Sequence, residues 1–193
     1  MITHKAKPGS KTRQRIFDAA LALFVEQGVA ETTTRDIASA AGIAEGTIYR
    51  HFASKDDIAR DLFLDTFLPF CDRLGLIFKQ DASIIDRLTR MIEQFYAAYD
   101  ENPTLWIYLM TYQSGPRSKV PDGTATPFLL MHQMLTEGVR TGELTKIDPD
   151  LHTQILLGII QQPAAGFVYG ELAGDLSSKR GPVADALRKV LQG

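Results

Sequence analysis

Side chains that bind phosphates or base edges are concentrated in one short stretch of the chain. Arg50 carries a guanidinium fork that matches guanine O6 and N7, or a phosphate group. Thr47 and Tyr49 add hydroxyl groups for phosphate oxygens or base edges. Because Thr47 and Arg50 are three residues apart, they share one face if the segment is helical. These three residues are therefore the first candidates for contacts with nucleic acid.

Three neighbouring residues each allow two interpretations. Glu45 could accept a hydrogen bond from cytosine N4, or it could point away from DNA as a first-turn acid that favours the helix dipole. Lys55 opposes the dipole of the helix that it opens, so it suits a bound phosphate there, or it simply faces solvent. His51 could donate to a phosphate, or it could pack beside Phe52.

A second group of candidates lies at Thr33, Thr34 and Arg35. Thr33 can cap a short helix, and the backbone N–H groups at such a helix start are free to meet a phosphate. Arg35 lies close enough in sequence to assist. We therefore expect a second phosphate contact here.

Two short helices that meet at a glycine must position these groups. In a helix-turn-helix the two helices cross steeply, so a small residue lies at the contact and a glycine forms the turn. Ala38 and Gly42 have that spacing, with helices predicted over 33–42 and 45–52; two unrelated short helices remain the alternative. A preceding helix over 10–27 would complete a three-helix core. The residues available to fill the corner are Ile37, Ala41, Ile43, Ile48 and Phe52.

The segment Gly46-Thr47-Ile48-Tyr49-Arg50-His51-Phe52, followed by Ser54-Lys55, resembles the start of TetR family regulators, and the resemblance covers roughly residues 10–65. In that family the helix corresponding to 45–52 enters the major groove of DNA. Residue chemistry and resemblance together predict DNA contacts from Thr33, Thr34, Arg35, Glu45, Gly46, Thr47, Tyr49, Arg50, His51 and Lys55.

Ala44 departs from the family pattern, which often has a capping serine or threonine at this position. An alanine cannot bond the free N–H groups of the first turn, so we expect the recognition helix to begin less firmly, at a cost of ~1 kcal/mol.

The rest of the chain also has helical periodicity, which predicts an all-α fold of about nine helices without internal repeats. Ser54 and Asp57 form a capping box that opens a long fourth helix. Residues 114–126 are rich in glycine and proline and are predicted to be a mobile loop. We divide the chain into a DNA-binding domain over 1–53 and a second helical domain over 54–193. The later helices are predicted over 83–101, 103–112, 127–141, 149–173 and 182–191.

The resemblance implies that the second domain binds a small molecule. The helix over 103–112 is too apolar and aromatic to expose a whole face to solvent, so we expect it to be broadly buried. Its residues and other aromatic groups could line an apolar pocket, although plain core packing is the alternative for each of them. The candidate pocket residues are Phe67, Phe70, Phe95, Tyr99, Trp106, Tyr108, Met110, Met131 and His132. The effector itself is unknown and is expected to be apolar or aromatic.

The helix that starts at Pro149 has more apolar and small surface than one neighbour can cover. Positions 158, 162, 166, 170 and 174 lie on one row of this helix and read Gly, Gln, Gly, Gly, Gly, so backbones can approach closely there. Pro163 is expected to kink the helix. The resemblance implies pairing with the last helix across a two-fold axis, as a four-helix interface of a homodimer; an intrachain core helix is the alternative. The candidate interface residues are Leu151, Ile155, Gly158, Ile159, Gln162, Gly166, Gly170 and Leu187.

Composition excludes several classes of protein. The 193 residues are 45% hydrophobic and 23% charged, which is typical of a globular domain, and the single Cys71 cannot form an intramolecular disulfide. No leader or membrane-spanning run is present in the sequence, so we expect a cytoplasmic protein without a membrane partner. The four histidines are scattered and no nucleophile motif occurs. The sequence therefore predicts no enzyme, no metal site and no cofactor.

Charge is distributed unevenly. Residues 1–60 hold 9 Lys+Arg against 7 Asp+Glu, although the whole chain has a net charge of -2. Five basic residues precede the first acid, and such an arm suits a polyanion or serves as a solvated tail. The basic residues of the arm are Lys5, Lys7, Lys11, Arg13 and Arg15.

Taken together, the sequence predicts a homodimeric transcription regulator that binds a pseudo-palindromic DNA operator as a repressor and is released by a small molecule. A helical protein that binds a small molecule without reading DNA is the alternative, and a helical enzyme with an aromatic cavity is a third. A steep fall of duplex affinity with salt distinguishes the first from the others.

Overall fold

The computed structural model describes residues 11–113 and 120–192. This part of the chain is helical and contains no strand, so the predicted all-α class is confirmed. Its helices are α1 (Lys11–Glu31), α2 (Thr34–Ala41), α3 (Glu45–Ile48), α4 (Lys55–Phe78), α5 (Ile84–Glu101), α6 (Pro103–Gln113), α7 (Pro127–Thr141), α8 (Pro149–Val168) and α9 (Arg180–Gln192), with a 3-10 turn over Ser177–Lys179.

Local capping explains why the first two helices begin and end where they do. Gly28 interrupts α1 at φ +85° and ψ 159°, a backbone region open essentially to glycine alone. Thr33 caps α2 by accepting from the N–H of Asp36, whose carboxylate accepts in turn from the N–H of Thr33. Gly42 ends α2 in the left-handed conformation at φ +63°.

The third helix is shorter than the predicted 45–52. Regular α-helix ends at Ile48, and the chain continues to Phe52 through tighter turns in which the N–H of Arg50 bonds the carbonyl of Thr47. Ala44 has extended backbone at the N-cap and provides no side-chain hydrogen bond. The missing cap predicted from the sequence is therefore confirmed.

The eighth helix is also shorter than predicted, because it ends at Val168 rather than near Ala173. Gly170 has φ +71°, and the N–H of Glu171 bonds back to the carbonyl of Gly166 at 2.8 Å. Gly170 and Gly174 thus lie beyond the helix, which corrects the predicted row of small residues along it. The last helix starts at Arg180, two residues before the predicted start.

Two predicted features fall partly outside the described residues. Ser10 and the basic residues before Lys11 lie there, as does the 114–119 part of the predicted loop. The described remainder of that loop, 120–126, contains no helix.

The chain forms two compact units. Unit 1 is Met1–Leu68 with Thr104–Pro121, and unit 2 is Pro69–Pro103 with Asp122–Gly193. Helix α4 begins in unit 1 and ends in unit 2. The two units are defined by the contacts within each of them. The predicted division at 53/54 separates two functions instead, and it stays a prediction.

Aromatic packing holds unit 1 together. Phe17 lies against Phe52 with ring centroids 5.4 Å apart. Tyr108 of α6 stacks on Phe24 of α1 at 5.9 Å, and its hydroxyl donates to the carbonyl of Ala59 at 2.6 Å. Tyr108 is only 1% exposed. Helix α6 is thereby fixed to both α1 and α4.

Unit 2 combines apolar packing with a buried arginine. Phe70 meets Phe95 edge-on at 4.9 Å. Arg87, 6% exposed, donates to the carbonyl of Phe78 at 2.9 Å and pairs with Glu137 at 3.3 Å. The arginine thus keeps hydrogen-bond partners where burial would otherwise be costly.

The uncapped start of α3 generates a stability prediction. Ala44→Thr should stabilise the protein by ~1 kcal/mol relative to Ala44→Val, because the two side chains have the same shape and only threonine can cap the first turn. Urea unfolding of the two variants measures the difference. Equal stabilities would show that the start of α3 gains nothing from a cap.

Candidate nucleic-acid interface

The angle between α2 and α3 is fixed by a buried corner and by one arginine. Ile37 and Ile48 are fully buried, and Ala38 is 3% exposed. Arg15 of α1 donates from Nη2 to the carbonyl of Ala41 at 2.5 Å and to that of Gly42 at 3.1 Å. The turn is therefore held from outside by a charged donor as well as from within by apolar packing.

The outer face of this corner presents two arginines. Arg35 at the start of α2 and Arg50 after α3 are both exposed. Neither guanidinium group has a hydrogen-bond or ion-pair partner among residues 11–113 and 120–192. Tyr49, beside Arg50, is 55% exposed. Both positive charges are therefore available for an anionic partner.

Thr34, Glu45 and Tyr49 are brought together by the fold. The Thr34 hydroxyl donates to the Glu45 carboxylate at 2.9 Å and lies 3.2 Å from the Tyr49 hydroxyl. These contacts join the start of α2 to α3 across the exposed face. The carboxylate that would repel phosphate thus has a protein partner, which neither of the two sequence interpretations of Glu45 anticipates.

The predicted free N–H groups at the start of α2 are in part used. The N–H of Thr33 donates to the Asp36 carboxylate at 3.0 Å. Hydrogen bonds from the Thr33 side chain and backbone hold the pKa of Asp36 below its usual value. This carboxylate stays charged and keeps the N-cap N–H occupied, whereas the Thr34 side chain bonds to α3 as described above.

The remaining candidates lie on or beside the same face. Lys55 donates from Nζ to the carbonyl of Ala30 at 2.8 Å, so it supports the end of α1 in addition to its position at the start of α4. His51 is exposed, with its ring 6.4 Å from that of Phe52. Gly46 is exposed and Thr47 is half-buried, both on α3.

Sequence reasoning missed the role of Arg13. Its guanidinium pairs with Asp65 at 2.6 Å and with Asp61 at 3.4 Å, and it lies 4.3 Å from the centre of the Phe17 ring. Arg13 therefore ties α1 to α4, and Arg15 ties α1 to the turn, so these two arginines of the predicted arm have internal partners. Two carboxylates four residues apart on α4 were the only sequence signal for this contact.

The residues predicted to line an effector pocket are mostly core residues. Seven of the nine are buried, whereas Met110 and His132 are half-buried. Phe67 stacks on Phe63 within unit 1, and His132 pairs with Asp150 within unit 2 at 2.8 Å. The predicted broad burial of α6 is confirmed for Trp106, Tyr108 and Leu109. The pocket formed by these nine residues stays a prediction.

The residues predicted to form the dimer interface divide into two groups. Leu151 and Ile155 are exposed by 56% and 37%, and Gly158 and Gln162 are also exposed, with Ile159 half-buried beside them. The others are used within the chain or lie off the helix. Gly166 is buried under Leu172, Leu187 is fully buried, and Gly170 lies beyond α8.

The described ranges contain neither a candidate metal site nor a candidate membrane span. No group of three or more metal-ligating side chains occurs within residues 11–113 and 120–192. Across the same part of the chain, no helix has the length and apolarity needed to cross a bilayer.

Comparison with known proteins gives consistent results. Residues 16–62 match the model of the bacterial regulatory proteins of the tetR family. The chain is 29% identical over 178 residues to the fatty acid metabolism regulator protein of Bacillus subtilis, covering 90% of this chain and 92% of that protein. It is 31% identical over 174 residues to the HTH-type transcriptional regulator SrpR of Pseudomonas putida, covering 88% and 79%.

Solved structures share the same architecture. The transcriptional regulator FadR from Bacillus subtilis, crystallised in complex with stearoyl-CoA, superimposes with a TM-score of 0.76 at 28% identity, over 90% of this chain and 96% of that one. The family model matches the helix-turn-helix, and the similarity to the relatives extends over most of the chain. Both findings fit a corner that exposes two arginines. This chain therefore belongs to the tetR family of bacterial regulatory proteins.

Proposed function

We propose that the exposed face of α2 and α3 enters the major groove of an operator, with Arg50 reading a base and Arg35 holding a phosphate. Family membership makes the protein a DNA-binding transcriptional regulator, so the function and the DNA partner predicted from the sequence are confirmed. The single observation that supports the residue assignment is the contrast among cations. Arg35 and Arg50 have no hydrogen-bond or ion-pair partner among the described residues, although the Arg35 charge acts on neighbouring Asp36. Arg13 and Arg15 do have such partners.

The remaining candidates have supporting roles in this proposal. Thr34 and Glu45 position the Tyr49 ring through their hydrogen bonds. Because the Thr34 proton is donated to Glu45, the Tyr49 hydroxyl donates to Thr34 in the free protein and must exchange that bond to donate to a phosphate. Lys55 adds a positive charge at the edge of the same face. The alternative of a protein that does not read DNA is not favoured, because similar proteins are named as transcriptional regulators and repressors.

A symmetric dimer fits an operator made of two half-sites. Two copies of this face would sit about one helical turn, ~34 Å, apart on a pseudo-palindrome. Tetracycline-repressor-type regulators act as dimers, and the exposed apolar residues of α8 are the surface we propose for pairing with α8 and α9 of the second copy.

The similarity to the Bacillus subtilis regulator suggests the effector. We propose a long-chain acyl thioester of coenzyme A, which binds in the second domain and releases the operator, so that the protein acts as a repressor. We further propose that the protein works in the cytoplasm, where its DNA partner lies, and that it catalyses no reaction.

Removing the base-reading arginine should weaken and relax operator binding. For the tightest duplex selected from random sequences, Arg50→Ala should reduce affinity roughly tenfold to a hundredfold and flatten the preference at one base position per half-site. Fluorescence anisotropy measures both effects. Arg140→Ala, which removes an exposed arginine from α7, is the matched control and should bind like the wild type. Equal losses in the two variants would refute the role of Arg50.

Effector and operator should weaken one another by the same factor. Saturating stearoyl-CoA should lower operator affinity by about five- to 150-fold, and saturating operator should lower stearoyl-CoA affinity equally. Titrations in both orders, with free coenzyme A as control, measure the coupling. Operator binding that does not change at saturating stearoyl-CoA contradicts the acyl thioester as effector.

A charge on the exposed apolar face of α8 should separate the dimer. Ile155→Lys places two like charges across the two-fold axis, so sedimentation at micromolar concentration should show a monomer where the wild type is a dimer. Gln133→Lys, on the exposed side of α7, adds the same charge and should remain a dimer. A dimeric Ile155→Lys variant would place the interface elsewhere.

A further inference from the structure

A solvent-open cleft lies within unit 1, between α1, α4 and α6. Its volume is about 800 Å³, which is in the range of small-molecule sites, roughly 300 to 1,000 Å³. Of the nine residues predicted to form the effector pocket, only Tyr108 contributes to it. The cleft is lined by Phe24, Val25, Gly28, Val29, Asp56, Arg60, Ile107, Tyr108, Thr111 and Tyr112.

The base of the cleft is rigid and aromatic. Phe24 and Tyr108 are 4% and 1% exposed, with their rings stacked. Tyr112 stacks on Tyr108 at 5.3 Å and also contacts Phe63 at 5.2 Å. Because the Tyr108 hydroxyl is bonded to the carbonyl of Ala59, this aromatic surface is preorganised for a ligand.

Apolar side chains along the walls of the cleft remain partly exposed to solvent. Val25, Val29 and Ile107 are half-buried in the free chain. A ligand with an apolar body would remove these side chains from water, which is favourable in proportion to the area covered. The cleft therefore selects for apolar molecules before charge is considered.

The uncompensated charge at the cleft is negative. Arg60 pairs with Asp57 at 2.7 Å and with Asp61 at 3.3 Å, so its positive charge is offset along α4. The Asp56 carboxylate has no hydrogen-bond or ion-pair partner among the described residues. Burial raises the pKa of Tyr112; the Asp56 charge raises it further, and the Arg60 charge lowers it, so both charged groups act on that hydroxyl.

We propose that this cleft binds a lipophilic cation, whose apolar body covers Val25, Val29 and Ile107 and whose ammonium group lies between Asp56 and the Tyr112 ring. A carboxylate and an aromatic face are the two groups that attract an ammonium ion in a partly apolar site. The Asp56 carboxylate repels an anion of the same shape, and a neutral molecule gains only the apolar contact. The assignment concerns unit 1 alone and does not depend on the acyl thioester proposed above.

Three fluorescent probes with one ring system test the charge preference. 1-Pyrenemethylamine, 1-pyrenemethanol and 1-pyrenecarboxylate differ only in the group next to the pyrene ring. Binding to the full-length protein, followed by fluorescence anisotropy, should be tightest for the amine and weakest for the carboxylate. Equal affinities for the three probes would overturn the proposal.

Variants assign the binding to the cleft. Asp56→Asn should weaken the amine about fivefold and leave the alcohol unchanged, because only the ion pair is lost. Asp72→Asn, an exposed carboxylate farther along α4, should change neither probe. Ile107→Trp should fill the cleft and weaken all three probes, and Val29→Trp does the same from α1 if the first variant fails to fold by circular dichroism. An amine affinity that is unaffected by Asp56→Asn, or equally lowered by Asp72→Asn, would refute the cleft as a cation site.

Discussion

The geometry of the DNA-binding unit depends on one turn, in which Gly42 takes a left-handed backbone and Arg15 holds the two carbonyl groups beside it. A residue with a side chain resists that backbone, and the carbonyl groups at the end of α2 would otherwise lack partners. With the turn fixed, Ile37 and Ile48 close the corner from within. The corner, together with the contacts of Thr34 with Glu45 and Tyr49, then determines the outward face of α3.

The arginines near this turn fall into two groups, those with internal partners and those without. Arg13 and Arg15 stabilise unit 1, the first through carboxylates of α4 and the second through the turn. Arg35 and Arg50 are left exposed at the corner without hydrogen-bond or ion-pair partners in the described chain. The charges of Arg13 and Arg15 therefore stabilise the fold, whereas we propose that those of Arg35 and Arg50 take part in recognition. The sequence alone does not separate these two roles.

The sequence predicted well what is encoded locally and poorly what depends on distant contacts. The starts of α2 and α8 could be predicted because Thr33 and Asp148 cap the first turns of these helices. The end of α8 could not be predicted, because it depends on the chain turning back at Gly170 so that Leu172 covers Gly166. The hydrogen bonds of Thr34 to Glu45 and Tyr49 were equally invisible, because they require the angle between α2 and α3. Ala44 is a further local case. An alanine at the N-cap predicts that no side chain caps the first turn of α3, and the structure has no such hydrogen bond.

We propose that sequence-specific recognition by the corner depends on Arg35 and Arg50. Selection of bound duplexes from the fragmented genome of the source organism, by the wild type and by the double variant Arg35→Ala/Arg50→Ala, tests it most directly. The wild type should enrich a small set of fragments that share a pseudo-palindrome, and the double variant should enrich none. If the wild type enriches no fragment, or if both proteins enrich the same fragments, the two arginines do not carry sequence-specific recognition.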